Sequence, residues 1–147
     1  MDIIIEKMTV GHIDGLVEIE NESFSKPWTY GGFEAELNNE TADFLVALSD
    51  NKPVGYIGFH AVLDEGYVAN IAVLPGFRRC GIASALLENT VKICSEKKLA
   101  FLSLEVRKSN ESAIALYKKF GFEIVGERKN FYTAPTENAY IMTLNFE

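Results

Sequence analysis

Apolar residues recur along the first half of the chain, first with a helical period and then with the alternation of strands. Three isoleucines at positions 3–5 favour an opening strand, and apolar residues at helical spacing favour a helix that follows Thr9 and ends near Phe24. Phe33 and Leu37 support a second, short helix. The next apolar runs, separated by turn residues, are typical of a strand meander over residues 44–48, 54–62 and 67–73.

The second half of the chain alternates between helices and strands. One apolar stripe from Arg79 to about Lys97 predicts a long helix, and a second stripe predicts a helix over 110–120 that ends at Gly121. Strands are predicted over residues 101–106, 122–125 and 139–146. This order favours an α/β fold of the α+β kind, with a mixed, largely antiparallel sheet flanked by helices and a parallel central pair of strands.

The size and charge of the chain argue against several classes of protein. A length of 147 residues with 48% hydrophobic residues predicts a single domain over 1–147. The formal net charge of −7 opposes direct binding to nucleic acid phosphates. We expect a cytoplasmic protein without membrane contact, because no apolar run could span a bilayer and residues 1–10 do not resemble a signal peptide.

The cysteines and histidines predict neither a disulfide nor a metal site. If Cys80 and Cys94 lie on one helix, the rise per residue separates them by roughly 21 Å, which is beyond disulfide reach. We therefore expect two free thiols. The chain has no CxxC pair and only His12 and His60, so neither zinc nor a Cys–His nucleophile is expected.

The segment that joins the meander to the long helix has the features of an anion site. After Val73, a Pro–Gly turn leads into the run Arg78-Arg79-Cys80-Gly81-Ile82-Ala83. Backbone N–H groups at such a helix start are unpaired and lie near the positive end of the helix dipole, which favours a phosphate or pyrophosphate. The run lacks the Gly-Lys-Ser/Thr of a P-loop and the three glycines of a Rossmann turn. An arginine-capped turn before an ordinary surface helix is the alternative.

Two polar side chains later in the chain stand among apolar neighbours. Glu105 interrupts an apolar strand and lies on the face opposite to the strand's leucines. It is either a general base or a structural carboxylate paired with Arg107 or Arg128. Tyr117 belongs to the inward stripe of a helix, where a tyrosine is most often a core residue whose hydroxyl has a partner.

In combination, these patterns resemble the GCN5-related N-acetyltransferases. The resemblance rests on the arginine and glycine loop at 78–83, on the strand at 104–106 and on the helix from Asn110 to Tyr117 with the Gly–Phe pair that follows it. It implies that a splayed parallel strand pair holds acetyl-coenzyme A (acetyl-CoA), which is the acetyl donor of the family.

Two further segments, 24–28 and 128–132, are similar to the RimI-type branch of this family, whose members acetylate the N-terminal alanine of ribosomal protein S18. The chain departs from the branch at Phe131, where tyrosine is frequent, and at Arg78, where the loop has glutamine. These departures leave the cofactor loop intact and leave the exact peptide substrate open.

The resemblance also assigns roles to individual residues. Glu105 is the expected general base and Tyr117 the expected general acid. Trp28, Phe131 and Tyr132 are expected to line a peptide groove, with plain packing as the alternative. The expected cofactor-binding residues are Ile71, Ala72, Val73, Arg79, Cys80, Gly81, Ile82, Ala83, Ser84 and Asn110.

The resulting hypothesis is direct attack of a protein N-terminal amine on acetyl-CoA. Cys80 is not the expected nucleophile, because the sequence places no histidine to activate it. An α-amine has a pKa of about 7.7–8.0 and a lysine about 10.4, so a modest base suffices for an N-terminus. The alternatives are a polyamine, an aminoglycoside or a lysine as acceptor, or a coenzyme A-binding regulatory module without catalysis. The sequence leaves the oligomeric state open.

Overall fold

The computed structural model describes residues 2–146 and is built around a seven-stranded sheet. The sheet has the order β1-β2-β3-β4-β5-β7-β6, and all neighbours except β4 and β5 run antiparallel. This arrangement confirms the predicted mixed, largely antiparallel sheet. Its strands are β1 (Ile4–Lys7), β2 (Ala42–Ser49), β3 (Lys52–Val62), β4 (Glu65–Val73), β5 (Phe101–Arg107), β6 (Glu123–Tyr132) and β7 (Glu137–Asn145).

The helices of the described residues flank this sheet, and their ends follow ordinary capping chemistry. Thr29 Oγ1 accepts the Gly32 N–H at 3.2 Å, and Asn110 Oδ1 accepts the Ala113 N–H at 3.2 Å, so both residues cap helix starts. Short 3₁₀ turns precede two of the helices, at Val10–His12 and Pro75–Phe77. The α-helices are α1 (Ile13–Ser23), α2 (Tyr30–Leu37), α3 (Ile82–Glu96) and α4 (Glu111–Lys119).

An aromatic cluster fills the core beneath α2. Phe33 stacks edge-on to Phe44 and Tyr56, with ring centroids 6.3 and 5.3 Å away, and the ring of Trp28 lies 5.4 Å from that of Phe33. Gly58 faces Phe44 across the sheet, where a Cβ atom would come within 2.2 Å of the ring. The absence of a side chain at this position therefore lets the ring lie directly on the sheet.

The parallel pair β4 and β5 separates soon after it begins. The strands pair over three positions, from Glu65 opposite Phe101 to Tyr67 opposite Ser103. Ala69 is then an extra residue in the pairing of β4 with β3, and this bulge bends β4. The predicted parallel pair is confirmed, and the remainder of β4 faces a gap rather than a neighbouring strand.

The structure corrects several boundaries, since β2, β3 and β4 each begin two residues earlier than predicted. The long helix begins at Ile82 rather than Arg79, because Arg79 and Gly81 have left-handed φ angles of 63° and 79° that do not continue a helix. The strand predicted over 122–125 extends to Tyr132. The last strand begins at Glu137 instead of 139. β6 is an edge strand exposed on both faces, so its residues lack the apolar alternation that reveals a strand.

Candidate active site

The gap beside β4 continues into a cleft of about 670 Å³, called here the α3 cleft, between the start of α3 and the start of α4. Nine of the ten predicted cofactor-binding residues line it: Ile71, Ala72, Val73, Arg79, Gly81, Ile82, Ala83, Ser84 and Asn110. The tenth, Cys80, is not among the lining residues. Its exposed thiol lies 3.6 Å from the carbonyl oxygen of Arg78.

The loop before α3 presents backbone N–H groups and positive charge to this cleft. The left-handed turns at Arg79 and Gly81 lead into the first turn of α3, whose N–H groups have no partner within the helix. Arg78 stabilises the turn, because its Nε donates to the carbonyl oxygen of Val73 at 3.2 Å. A pyrophosphate fits this donor set, since the amides, the helix dipole and the two arginines all favour negative charge.

The edge of β4 offers a further donor. The Leu74 N–H donates to the Val54 oxygen of β3 at 2.8 Å. Because backbone N–H groups alternate between the two edges of a strand, the N–H of Val73 faces the gap between β4 and β5. The geometry therefore provides an amide on the edge of β4 that can donate to an acyl oxygen or to the pantetheine arm.

Tyr117 is a buried residue that lines the α3 cleft. Its side chain is 6% exposed, and its ring lies 5.8 Å from the ring of Phe122. Burial raises the pKa of the Tyr117 hydroxyl above its usual value, and the nearby Tyr132 raises it further. The hydroxyl is therefore protonated at neutral pH and can act only as a proton donor or hydrogen-bonding group.

Glu105 lines neither the α3 cleft nor the second cleft described below, and it lies on the half-buried face of β5. Its Oε2 accepts a hydrogen bond from Arg128 Nε at 3.2 Å. Of the two arginines considered from the sequence, Arg128 is thus the partner of Glu105. The side chains of the pair are 31% and 54% exposed, and such ion pairs contribute only about 0–1 kcal/mol. The carboxylate can therefore exchange this partner for another one.

Electrostatics connect Glu105 with the tyrosines. Burial raises the pKa of Tyr132 to about 12, and the negative charge of Glu105 is the next largest cause. Tyr132 in turn raises the pKa of Tyr117. Tyr132 on β6, one of the predicted groove residues, is therefore near the predicted base on β5 and also near the predicted acid on α4.

A second cleft of about 650 Å³, called here the aromatic cleft, adjoins the first. Trp28, Phe131 and Tyr132, the predicted groove residues, all line it. The rings of Phe131 and Tyr132 meet edge-on with centroids 5.0 Å apart. The two clefts share Ser23 and Phe24 at the end of α1, so a molecule in one cleft can contact a molecule in the other.

Arg107 organises the β6–β7 turn at the rim of the aromatic cleft. Its guanidinium lies 4.4 Å from the centre of the Tyr132 ring and forms a salt bridge with Glu137 at 3.1 Å. It also donates to the carbonyl oxygens of Thr133 and Pro135 at 3.2 and 3.0 Å. The sequence indicates Arg107 only as a possible partner of Glu105, because residues 133–137 are too far along the chain for a local pattern to connect them with it.

Glu20 is a site residue that the sequence analysis missed. It lines the aromatic cleft yet has no exposed surface, and it accepts hydrogen bonds from Trp28, Tyr56 and Asn70. The available signal was its position on the apolar stripe of α1, where a carboxylate is unexpected.

Comparison with known proteins decides the family. Residues 13–122, about three quarters of the chain, match the family model described as the acetyltransferase (GNAT) family. The chain belongs to this family. It is accordingly an acetyl-CoA-dependent N-acetyltransferase with the GNAT fold.

The chain is similar to GNAT proteins over nearly its whole length. A Haemophilus influenzae protein named ribosomal protein bS18-alanine N-acetyltransferase is 37% identical over 144 residues, which cover 95% of this chain and 96% of that protein. A Bacillus subtilis protein that carries this name provisionally is 42% identical over 139 residues, covering 94% and 92%. The crystal structure of the Escherichia coli ribosomal-protein-S18-alanine N-acetyltransferase superposes with a TM-score of 0.91 at 32% identity, covering 98% and 94%.

Over residues 2–146, no helix is long and apolar enough to cross a membrane.

Proposed function

We propose that this GNAT enzyme transfers the acetyl group of acetyl-CoA to the N-terminal alanine of ribosomal protein S18. The observation that carries the proposal is the junction of two clefts along β4. Ala69 and Asn70 line the aromatic cleft, whereas the next three residues, Ile71 to Val73, line the α3 cleft. A peptide end in the aromatic cleft therefore meets the donor beside the bend of β4. The names of the relatives at 33–37% identity support S18 as the acceptor.

Acetyl-CoA supplies the acetyl group, and the residues of the chain bind it and move protons. The amides from Gly81 to Ser84 and the arginine at 79 hold the diphosphate, and Asn110 contributes its side-chain amide. A backbone N–H on the edge of β4 from Ile71 to Val73 donates to the acyl carbonyl oxygen and stabilises negative charge on that atom. The rest of this edge lies along the pantetheine arm.

Glu105 accepts the proton of the attacking amine, directly or through a water molecule, once the amine displaces Arg128. Tyr117 donates a proton to the departing thiolate, a role that suits a hydroxyl kept protonated by burial. The α-amine of an alanine has a pKa only slightly above neutrality, so a carboxylate that remains partly exposed is a sufficient base. The pKa of a lysine side chain is about 2–3 units higher than that of an α-amine, so a lysine acceptor needs more assistance to lose its proton.

The alternatives receive less support from the aromatic cleft. A polyamine or aminoglycoside needs several free carboxylates, but the acidic residues that line this cleft, Glu20 and Glu137, already accept hydrogen bonds from the protein's own groups. A regulatory module that only binds coenzyme A needs neither a carboxylate such as Glu105 nor a buried tyrosine such as Tyr117. A cytoplasmic location, where ribosomal proteins are made, belongs to the proposal.

The test is thiol release from acetyl-CoA with short peptides that differ only in their first residue. We expect the highest kcat/KM for a peptide with the first residues of S18, which begin with alanine, and at least a tenfold loss when that alanine is acetylated beforehand or replaced by proline. Spermidine serves as the small-amine control. Equal rates with spermidine, or no thiol release with any peptide, would contradict the proposal.

A further inference from the structure

The buried carboxylate of Glu20 lines the aromatic cleft about one helical turn before Ser23 and Phe24, the residues that both clefts share, and the proposed reaction does not use it. The residue has no exposed surface, and none of the Lys, Arg and His residues within 2–146 forms a salt bridge with it. A buried charge without a cation is strongly unfavourable unless hydrogen-bond donors surround it. The donors that satisfy Glu20 therefore identify what this carboxylate holds in place.

The two oxygens of Glu20 bind groups from different parts of the chain. Oε1 accepts the backbone N–H of Trp28 at 2.8 Å. Oε2 accepts the Tyr56 hydroxyl at 2.5 Å and the Asn70 Nδ2 at 2.9 Å. Asn70 Nδ2 also lies 2.7 Å from the Tyr56 hydroxyl oxygen. The pKa of Tyr56 is raised by burial and next by the charge of Glu20, so its hydroxyl keeps the proton that it donates.

Asn70 extends this network to the edge of β4 that faces the gap. Its Oδ1 accepts the backbone N–H of Ile71 at 3.1 Å. Ile71 lines the α3 cleft, and Trp28 lines the aromatic cleft. One continuous chain of hydrogen bonds, from the Trp28 amide through Glu20 and Asn70 to the Ile71 amide, therefore joins a wall of each cleft.

We propose that Glu20, Tyr56 and Asn70 form a positioning network. It fixes residues 24–29, called here the acceptor loop, against the edge of β4 that holds the acetyl donor. This inference rests on the proposed function, since it concerns the alignment of an acceptor amine with the donor. Reacting atoms must approach to about 3–3.5 Å, and a displacement of 1 Å can reduce the rate about 100-fold. The network therefore acts on kcat, through the alignment of both clefts, more than on the affinity for acetyl-CoA.

An exchange of the two side-chain chemistries tests the network. In Glu20→Gln, one donor at Oε1 or Oε2 loses its acceptor, because a side-chain amide has only one oxygen. In Asn70→Asp, two carboxylates face each other at the distance of the present hydrogen bond. The double variant Glu20→Gln/Asn70→Asp restores donor and acceptor at every contact: Gln donates to Asp, and Asp still accepts the Ile71 N–H.

We expect kcat with the S18 peptide to fall at least tenfold in each single variant and to return to within threefold of the wild-type value in the double variant. The dissociation constant of acetyl-CoA stays within threefold throughout. A double variant with restored melting temperature but unrestored kcat would reduce the network to a structural role and overturn the proposal. Unchanged kcat in both folded single variants would also overturn it.

A second measurement separates this proposal from the proposed function. Trp28 is the only tryptophan of the chain, so its fluorescence reports on the acceptor loop without any acetyl transfer. We expect the emission maximum to move in Asn70→Asp and to return in the double variant. An emission maximum that stays shifted in the double variant would contradict the proposed coupling between Asn70 and the acceptor loop. If the wild-type protein acetylates no peptide but the emission maximum still recovers in the double variant, the proposed substrate is refuted and the coupling of Asn70 to the acceptor loop is retained.

Discussion

At the scale of the residue, burial decides which chemistry each polar side chain can perform. Tyr117 is enclosed and keeps its proton, whereas Glu105 is half-exposed and held only by Arg128. The proposed reaction removes a proton from an amine and adds a proton to a thiolate. A carboxylate that can exchange its partner suits the first transfer, and a hydroxyl that stays protonated suits the second.

Replacement of Tyr117 by phenylalanine removes the proton donor and preserves the ring that packs on Phe122. We expect kcat to fall about 100-fold, which is the lower end of the usual contribution of a general acid, with acetyl-CoA affinity changed less than threefold. Steady-state kinetics and calorimetry measure the two quantities. Tyr30→Phe, at an exposed position on α2, is the matched control. Normal turnover in Tyr117→Phe would exclude the role as acid.

Replacement of Glu105 by glutamine removes the proposed base and retains the shape of the side chain. We expect a loss of kcat of about 100-fold at pH 7, and partial recovery as the pH rises and more of the acceptor is already neutral. Glu123→Gln, at an exposed position of β6, is the control. A pH–rate profile with an unchanged maximum would show that Glu105 does not remove the proton.

These residues also show how far a sequence can be interpreted at this scale. Tyr117 and the residues around Gly81 were predicted because their spacing within one element carries the signal. Glu20 was not, because its partners Tyr56 and Asn70 are 36 and 50 positions away, and nothing local indicates that α1, two strands and the loop at Trp28 meet there. Arg107 escaped prediction for the same reason.

At the scale of the element, the site depends on places where regular structure is interrupted. The bulge at Ala69 turns β4 away from β5 and opens the gap, and the left-handed residues before α3 aim its first amides at the cleft. Helical periodicity predicted α3 but not its first residue, because the spacing of apolar side chains does not indicate the left-handed backbone at Arg79. The predicted length of the edge strand β6 was too short, because exposure on both faces removes its apolar alternation.

The glycine at the start of α3 offers a clean test of the cofactor loop. A Cβ at Gly81 meets no atom within 4 Å, so Gly81→Ala adds only the strain of a left-handed alanine, about 1–2 kcal/mol. We expect the loop to relieve this strain by turning its amides, and the dissociation constant of acetyl-CoA to rise at least fivefold. Gly76→Ala, also in open space but without a left-handed φ, is the control. Equal affinity of both variants would argue against the role of the loop.

At the scale of the whole molecule, the fold places the two cysteines in different environments, although the sequence predicts a free thiol for both. Cys94 lies in the core, where burial raises the pKa of its thiol to about 12, and Cys80 is exposed in the loop before α3. The predicted free thiols are confirmed, but only Cys80 is accessible. The fold class followed from the order of elements, whereas the joining of the clefts depends on contacts between distant elements.

A thiol titration checks this separation. We expect Ellman's reagent to modify one thiol per native chain quickly, and a second only after denaturant unfolds the protein. Cys80→Ser removes the fast reaction and leaves the slow one. Two thiols that react rapidly in the native protein would show that the region around Cys94 opens far more readily than its burial implies.

The most direct test of the account is to locate the acetyl group after reaction. Tandem mass spectrometry on a peptide that carries an N-terminal alanine and an internal lysine, incubated with the protein and acetyl-CoA, identifies the modified nitrogen. We predict acetylation of the α-amine with the lysine unmodified. Acetyl groups on the lysine alone, or no modified peptide despite bound acetyl-CoA, would contradict the assignment of the aromatic cleft as the place where a protein N-terminus is received.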